Sequence, residues 1–391
     1  MITTINNKHK KLNVPNLRFP EFQGEWEMCK VSDLLDFYST NSLSWDKLEY
    51  GTDAIQNLHY GLIHVGLPTM VNLSKDKLPN IVSGNTPKNY VLCQEGDIAF
   101  ADASEDTNEV AKAIEFYNLN GKDVICGLHT IHGRDNQQKT VVGYKGYAFS
   151  STAFHHQIRR IAQGTKIYSI NSKNFSECHI GIPSKEEQKK IATLLRLIDE
   201  RIATQTKIID KLQSLIKGIG KQLFMDNQNW RTVKIGELLR IGNGKDYKHL
   251  SIGKIPVYGT GGQMLLVNDY LYDGESVCIG RKGTIDTPMF LKGKFWTVDT
   301  LFYTYDFKDV LPKFCYYLFL QINWKLYNEG TGVPSLSKST IENIKVKIPS
   351  LEQQQKICSI LDCYEHKTNN EEQILELYHS EKQYLLRQMF I

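Results

Sequence analysis

The sequence predicts an α+β fold in which two mixed α/β modules alternate with two long helices that pair as an antiparallel coiled coil. Three observations predict this pseudo-two-fold arrangement: an internal repeat, two long runs of helical periodicity, and strand-like segments between them. We expect the chain to divide into a first module at residues 1–183, a central helix at 184–225, a second module at 226–349 and a C-terminal helix at 350–391.

The repeat has a constant offset of 166 residues. Gly164–Phe224 aligns with Gly330–Phe390 without a gap, and 15 of the 61 positions are identical. The identical positions include loop residues as well as helix residues, which argues against chance similarity between two helices. The chain therefore contains two related units, each ending in a helix.

Each long helix is predicted by apolar residues at intervals of three and four, the pattern of a coiled-coil seam. Pro183 and Pro349 precede the two runs, and Ser184 and Ser350 are expected as N-caps. The residues expected to form the seam are Ile191, Ile198, Ile202, Ile209 and Leu212 in the first run, with Ile357, Ile360, Leu375 and Tyr378 in the second.

Charge favours pairing of the two helices with each other. Residues 185–224 carry nine Lys/Arg and five Asp/Glu, a net charge of +4, whereas residues 351–391 carry four and seven, a net charge of −3. Opposite charges favour association, and the alternative is two solvated helices that each pack on their own module.

The modules are predicted from glycine-bounded segments rich in β-branched and aromatic residues. Examples are GDIAFA at Gly96–Ala101 and FWTVDTLFYTY at Phe295–Tyr305. The interiors of the two modules differ much more than their ends, which favours two readers of different targets.

Several classes of function are excluded by the sequence. No apolar stretch approaches the roughly 18 residues of a membrane span, and no apolar core follows the basic residues at the N-terminus, so we expect a cytoplasmic chain with reduced thiols. P-loop, HExxH, GxSxG and Asn/Asp-Pro-Pro-aromatic motifs are missing, so no catalytic residue is predicted.

Cys126, His129 and His132 are spaced by three residues, a spacing that metal sites can use. No fourth ligand is evident, and residues three apart on a strand point to opposite faces. The favoured interpretation is a strand whose histidines and Arg134 serve packing or nucleic-acid contact, with no metal.

Basic and small polar residues near glycines are the candidates for phosphate or base contact. Arg281 and Lys282 are the strongest, because glycines flank them on both sides. For any single lysine, a solvated surface position is the simpler interpretation. The full set of candidates is His132, Arg134, Arg159, Lys245, Lys248, Arg281, Lys282 and Ser335.

Four segments resemble the specificity (S) subunits of type I restriction-modification enzymes. LRFPEF at Leu17–Phe22 resembles the opening of these subunits, and GDIAFADASEDTNEVAKA at Gly96–Ala113 resembles one class of their target-recognition domains. PVYGTGG, IGRKGT and FWTVDT, beginning at Pro256, Ile279 and Phe295, resemble another class. GTGVPSLSKSTIENIKVKIPSLEQQQKI at Gly330–Ile357 resembles the family's junction into the helix, whereas the first junction lacks the GVP step.

The resemblance implies a non-catalytic subunit whose two recognition domains each read half of a bipartite double-stranded DNA target. The helices would space these domains and dock two methyltransferase (M) subunits, which use S-adenosylmethionine for adenine-N6 methylation. Restriction (R) subunits, which use ATP and Mg²⁺, would join them, and this chain would bind no cofactor itself. The alternatives are a coiled-coil scaffold that reads no DNA, a self-sufficient nuclease, and the specificity subunit of a related restriction system.

Overall fold

The computed structural model describes residues 13–225 and 228–391. The chain forms two compact units, one running up to Thr204 and including Ile374–Ile391, the other comprising Gln205–Gln373. Each unit thus contains one mixed α/β module together with part of both long helices. The expected four-segment division stays a prediction, and its limits at residues 1 and 226, like the basic N-terminus, lie outside the described residues.

The first unit contains thirteen short strands and five short helices, in addition to its share of the long helices. In chain order these are β1 Glu27–Lys30, α1 Val31–Leu34, β2 Asp36–Tyr38, β3 Leu48–Glu49, β4 Gln56–Leu58, α2 Tyr60–His64, β5 Met70–Asn72, β6 Asn80–Ile81, β7 Ile98–Ala101, β8 Ala103–Ser104, β9 Ala113–Asn118, β10 Val124–Cys126, β11 Thr130–Arg134, α3 Lys145–Phe149, α4 Thr152–Ile161, β12 Tyr168–Ser169, α5 Ser172–Ser176 and β13 His179–Ile182, with a 3₁₀ turn at Trp45–Lys47.

Two sheets organise this unit. A five-stranded sheet has the order β2-β11-β7-β9-β5, and a four-stranded sheet has the order β10-β4-β6-β3. The pairs β1/β13 and β8/β12 complete it. Strand β7 is buried along its whole length, as expected of the apolar IAFA segment at the centre of a sheet.

The central helix α6 runs from Lys185 to Met225. The second unit then contributes β14 Arg231–Lys234, α7 Ile235–Leu238, β15 Arg240–Asn243, β16 Ile252–Gly259, β17 Gly262–Val267, β18 Tyr272–Gly280, β19 Met289–Thr297, β20 Leu301–Tyr305, α8 Pro312–Gln321, α9 Lys338–Asn343, β21 Lys345–Ile348 and the long helix α10 Leu351–Gln388, with a 3₁₀ turn at Trp324–Tyr327.

The second unit repeats the plan of the first. Its main sheet has the order β15-β20-β18-β19-β16-β17, and β14 pairs with β21 as β1 pairs with β13. In the main sheet of the first unit, β7 pairs antiparallel with β11, and Ala101 lies opposite Thr130. In the main sheet of the second unit, β18 pairs antiparallel with β20, and Gly280 lies opposite Leu301. The register therefore makes β7 the counterpart of β18, and β11 the counterpart of β20.

The repeated glutamines at the start of the long helices have a structural role. Gln188 and Gln354 are both fully buried. Each accepts a backbone N–H of its own module, from Val141 or Leu311 at 2.8 Å, and donates to the proline carbonyl that precedes the helix. Since a buried amide must be fully hydrogen-bonded, this explains why the repeat retains glutamine at both positions.

The long helices begin close to the predicted residues. The hydroxyl of Ser184 accepts the N–H of Glu187, and that of Ser350 accepts the N–H of Gln353, so both predicted N-caps are confirmed. The helices pair antiparallel within each unit, as predicted. In the first unit Asp199 binds Lys382 at 2.6 Å, and in the second Gln205 donates to Glu371 at 2.6 Å.

The predicted seam residues are distributed between module cores and the helix pair. Ile191 and Ile198, with Ile202 packed against them, belong to the core of the first unit, and Ile357 belongs to that of the second. Ile209 and Leu212 are buried, and Leu375 and Tyr378 are half-buried.

Ile360 lies at the margin of the helix pair. It is 42% exposed, whereas its neighbour Leu361 is 1% exposed and lies in the core of the second unit. Ile360 lines a cavity together with Ile219 and Leu223 of α6, so it faces the other long helix, and its part in docking an M subunit stays a prediction.

Among the described helices, none combines the length and the apolar character that crossing a membrane requires.

Candidate nucleic-acid interface

In the second unit, three sequence-distant loops meet at the short segment Thr297–Thr300. The N–H of Lys245 donates to the first carbonyl of this segment at 2.9 Å, and the N–H of Arg281 donates to the last at 2.8 Å. The second residue of the segment donates its own N–H to Tyr258 at 3.0 Å. The glycine-rich motifs noted in the sequence are therefore neighbours, and one backbone segment holds them together.

Arg281, Lys282 and Ser335 lie together at the edge of this loop cluster. Lys282 and Ser335 form an antiparallel bridge, and the N–H of Gly283 donates to Pro334 at 2.9 Å. Gly283 has a φ of +89°, a conformation that favours glycine. The cavity beside them is lined by Asn243, Arg281, Lys282, Phe302, Glu329, Ser335, Leu336, Ser337 and Lys338.

The basic side chains of this cluster are available to an anion. Lys245, Lys248, Arg281 and Lys282 are exposed. Within residues 13–225 and 228–391, none of the ion pairs involves these four side chains. The guanidinium of Arg281 donates to the carbonyl of Asp299 at 3.4 Å, its one side-chain hydrogen bond in the part of the chain that the structure describes. Unpaired cations on loops fixed by backbone hydrogen bonds are suited to phosphate contact.

An acidic residue limits this surface on one side. Hydrogen bonds from Thr340 and Ser337 hold the pKa of Glu329 below its ordinary value, so its carboxylate stays ionised at neutral pH. A phosphate is therefore favoured on the Arg281 and Lys282 side of the cavity and repelled on the Glu329 side. Sequence reasoning missed Lys338, which has no glycine beside it, and Asn243, which lies between two glycines but carries no charge.

The first unit has a counterpart of this cluster. Ser169 pairs with Ala103, as Ser335 pairs with Lys282, and the two serines are equivalent in the 166-residue repeat. The loop after β7 therefore corresponds to the loop after β18, although it carries Asp102, Glu105 and Asp106 in place of two cations.

An aromatic cavity adjoins this acidic loop. The ring of Tyr60 lies 5.2 Å from that of His129 and 6.0 Å from that of His64, and the exposed Ile167 lines the same cavity. His129 contacts the carboxylate of Asp102 at 3.2 Å. Rings and apolar groups offer contacts to bases, whereas the carboxylates oppose phosphate. The glycine and charge patterns used on the sequence do not reveal such a cavity.

Two predicted DNA-contacting residues of the first unit are in structural positions. His132 is fully buried, so its side chain cannot reach a base without a rearrangement of the core. It contacts Asp97 at 2.7 Å, and Arg134 binds both oxygens of the same carboxylate at 2.7 Å. Burial alone would raise the pKa of Asp97, but the hydrogen bonds from Arg134 and His132 outweigh it and the net shift is downward.

Arg159 is the predicted residue of the first unit that remains exposed. It lies in the last turn of α4, and its guanidinium donates to Asn108 at 3.2 Å. Asn108 belongs to the segment that follows the acidic loop, so Arg159 is positioned beside that loop. Its contact with DNA stays a prediction.

The three residues weighed as metal ligands do not converge. His129 points to Asp102, whereas Cys126 and His132 meet Cys93, with their donor atoms within 4.8 Å of one another. His129 diverges because it lies in the turn between β10 and β11, with a φ of +54°, and not on a strand as expected. The spacing could not anticipate a donor from residue 93.

Comparison with known proteins decides the family. The model of the type I restriction modification DNA specificity domain matches this chain twice, at residues 76–214 and 227–377. The chain belongs to this family. It is a type I restriction-modification specificity subunit with two DNA specificity domains, as the resemblance in the sequence implied.

Relatives and solved structures are consistent with that assignment. The specificity subunit of the type I restriction enzyme MjaVIII of Methanocaldococcus jannaschii is 25% identical over 296 residues, covering 61% of this chain and 68% of its own length. The S subunit of the type I system of M. genitalium aligns over 97% of this chain and 99% of its own, with a TM-score of 0.59 and 17% identity. A chain from a structure concerned with complex assembly and conformational transition of the type I R-M system covers 92% and 96%, with a TM-score of 0.58 and 13% identity.

Proposed function

We propose that this specificity subunit binds a bipartite double-stranded DNA target, with one half-site read by each unit. In this proposal it performs no catalysis. It docks two M subunits, which methylate adenine at N6 with S-adenosylmethionine, and R subunits, which cleave with ATP and Mg²⁺. The chain itself binds neither of these two cosubstrates.

The observation that carries the proposal is the placement of the candidate loops. In both units they follow the central strand of the main sheet and pair with an equivalent serine. The second unit presents the unpaired Arg281 and Lys282 in this loop. In the first unit His129 contacts the equivalent loop through Asp102, and Arg159 lies beside it. Equivalent placement with different side chains is expected of two modules that share a task but read different sequences.

The exposed apolar residues of the long helices support docking of partner subunits. Leu197, Leu215 and Leu377 are 47%, 45% and 68% exposed. Burying such side chains in an assembly removes apolar surface from water, which stabilises the complex.

The methylome tests the proposal. The chain is expressed with its cognate M subunit in a host that lacks adenine methylation, and modified adenines are mapped by long-read sequencing. We expect a two-part motif with a fixed gap that disappears when the chain is omitted. If the chain forms a stable complex with an M subunit that is known to be active, but no new methylation is found, the result would contradict DNA reading. It would favour the alternative of a coiled-coil scaffold that reads no DNA.

Helix length is proposed to set the gap between the half-sites. Four residues inserted in the 204–207 region lengthen a helix by about 6 Å, close to two base pairs of DNA. We expect the methylated motif to keep both half-sites and change its gap. An unchanged gap, in a variant that still methylates, would contradict this role of the helix.

A further inference from the structure

The first unit contains a buried cluster of two cysteines and a histidine that the DNA-reading proposal does not use. The donor atoms of Cys93, Cys126 and His132 all lie within 4.8 Å of one another, and the two sulfurs are 3.6 Å apart. The residues are 6%, 2% and 0% exposed. Two thiols and an imidazole are the ligands that zinc and similar borderline cations prefer.

The three residues come from separate, well-fixed parts of the backbone. The N–H of Cys93 donates to Val124 at 2.8 Å, which ties the segment before β7 to β10. Cys126 ends β10 in the four-stranded sheet, whereas His132 lies in β11 of the five-stranded sheet. A shared cation would therefore crosslink the two sheets of the unit.

The distances suit tetrahedral coordination. With Zn–S bonds of about 2.3 Å, two thiolates of a tetrahedral site lie about 3.8 Å apart. The observed 3.6 Å agrees with this value and greatly exceeds the roughly 2.05 Å of a disulfide. The histidine nitrogen lies within 4.8 Å of both sulfurs, whereas tetrahedral coordination requires roughly 3.6 Å, so the three side chains would draw together around the cation.

His132 has the surroundings of a metal ligand. Its Nε2 contacts the Asp97 carboxylate at 2.7 Å, and Arg134 donates to both oxygens of that carboxylate at 2.7 Å. Its Nδ1 is buried and has no hydrogen-bond partner among the described residues. A ligating histidine ordinarily donates its other ring N–H to a carboxylate, and a buried nitrogen without a partner is costly in a protein that binds nothing there.

We propose that Cys93, Cys126 and His132 bind one Zn²⁺-class cation, with water in the fourth position. The two thiolates neutralise its charge, and Asp97 orients the imidazole. The cation stabilises the first unit by joining its two sheets. By the register of the two main sheets, Tyr303 of the second unit takes the place of His132, so the described part of that unit lacks this ligand at the equivalent position.

The test is the metal content of the full chain after zinc loading and desalting. We expect about one zinc per chain, and after cobalt exchange the thiolate charge-transfer and d–d absorption of tetrahedral coordination. Cys93→Ser and Cys126→Ser should each lower the bound metal at least tenfold. Cys178→Ser, which changes another buried thiol of the same unit, is the matched control and should leave the metal unchanged.

Two results would overturn the proposal. The first is a folded wild-type chain that binds less than a tenth of an equivalent of zinc, or that contains a Cys93–Cys126 disulfide when isolated without reductant. The second is metal retained equally by the wild-type chain and both serine variants. The wild-type measurement decides the question even where a variant fails to fold.

Discussion

The two units have the same backbone arrangement around the candidate DNA-contacting loop but carry different side chains on it. Both place a loop directly after the central strand of the main sheet and fix it against an equivalent serine, Ser169 or Ser335. In the first unit this loop carries Asp102, Glu105 and Asp106, whereas in the second it carries Arg281 and Lys282. The backbone plan is thus separable from the surface chemistry, as expected of a scaffold that presents exchangeable readers.

The difference extends beneath the surface. Four residues before the end of the central strand, the first unit has Asp97, which is bound by His132 and Arg134. The second unit has Ser276 at this position, which is bound by Thr304. There the hydroxyl of Ser276 accepts the N–H of Thr304 at 2.9 Å. At this position the first unit therefore relies on ionic groups, and the second relies on a neutral hydrogen bond.

The largest expected effect tests this difference in the interior. Asp97→Ala leaves a buried histidine and arginine without their shared carboxylate, and we expect it to lower the free energy of unfolding by about 3–5 kcal/mol. Ser276→Ala, its counterpart, should cost about 1 kcal/mol. Denaturant unfolding of both variants measures the difference. If both variants lose the same free energy of unfolding, the proposed difference between the ionic interior of the first unit and the neutral interior of the second would be contradicted.

The next effect concerns phosphate contact by the second unit. Replacing Arg281 and Lys282 with alanine should weaken DNA binding by the complex about tenfold and reduce the salt dependence of log K by about 1.8, because two cations are lost. Binding is measured by fluorescence anisotropy over a series of salt concentrations.

The matched control removes two cations elsewhere on the same sheet. Lys292 and Lys294 are exposed on β19, paired with the opposite end of β18 from Arg281. Their alanine double variant should leave the salt dependence nearly unchanged. If both double variants flatten it equally, the effect is one of net charge and the loops are not a specific contact.

The smallest effect transfers a charge between the units. Ala103 occupies the place of Lys282, so Ala103→Lys should strengthen DNA binding a few-fold and steepen the salt dependence by up to about 0.9. Ala54→Lys adds the same charge at an exposed position elsewhere in the first unit, whereas Ala103 is half-buried, and it should change binding less. Identical behaviour of the two variants would refute the equivalence of the loops.

The sequence predicts the long helices well and the interior of the modules poorly. A Pro-Ser pair stands directly before each long helix, and the 166-residue repeat extends to the last turns of both helices. The burial of Leu361 rather than Ile360 is not predictable from spacing alone, because packing against the module decides which of these neighbours is buried.

The candidate sites show the same limit. Arg281 and Lys282 were found because glycines flank an exposed loop, whereas His132 and Arg134 look equally basic in the sequence. Their partner Asp97 is more than 30 residues away, so only the strand pairing reveals that they are structural. Cys93 was missed as a neighbour of Cys126 for the same reason.

The most direct test of the central claim, one half-site per unit, is the methylome of a chimaera. The segment from β14 to β21 is replaced by the matching segment of another type I specificity subunit with a known motif. The account predicts that one half of the methylated motif changes to that of the donor, while the other half and the gap stay the same. A motif in which both halves change, or in which neither changes while methylation persists, would contradict it.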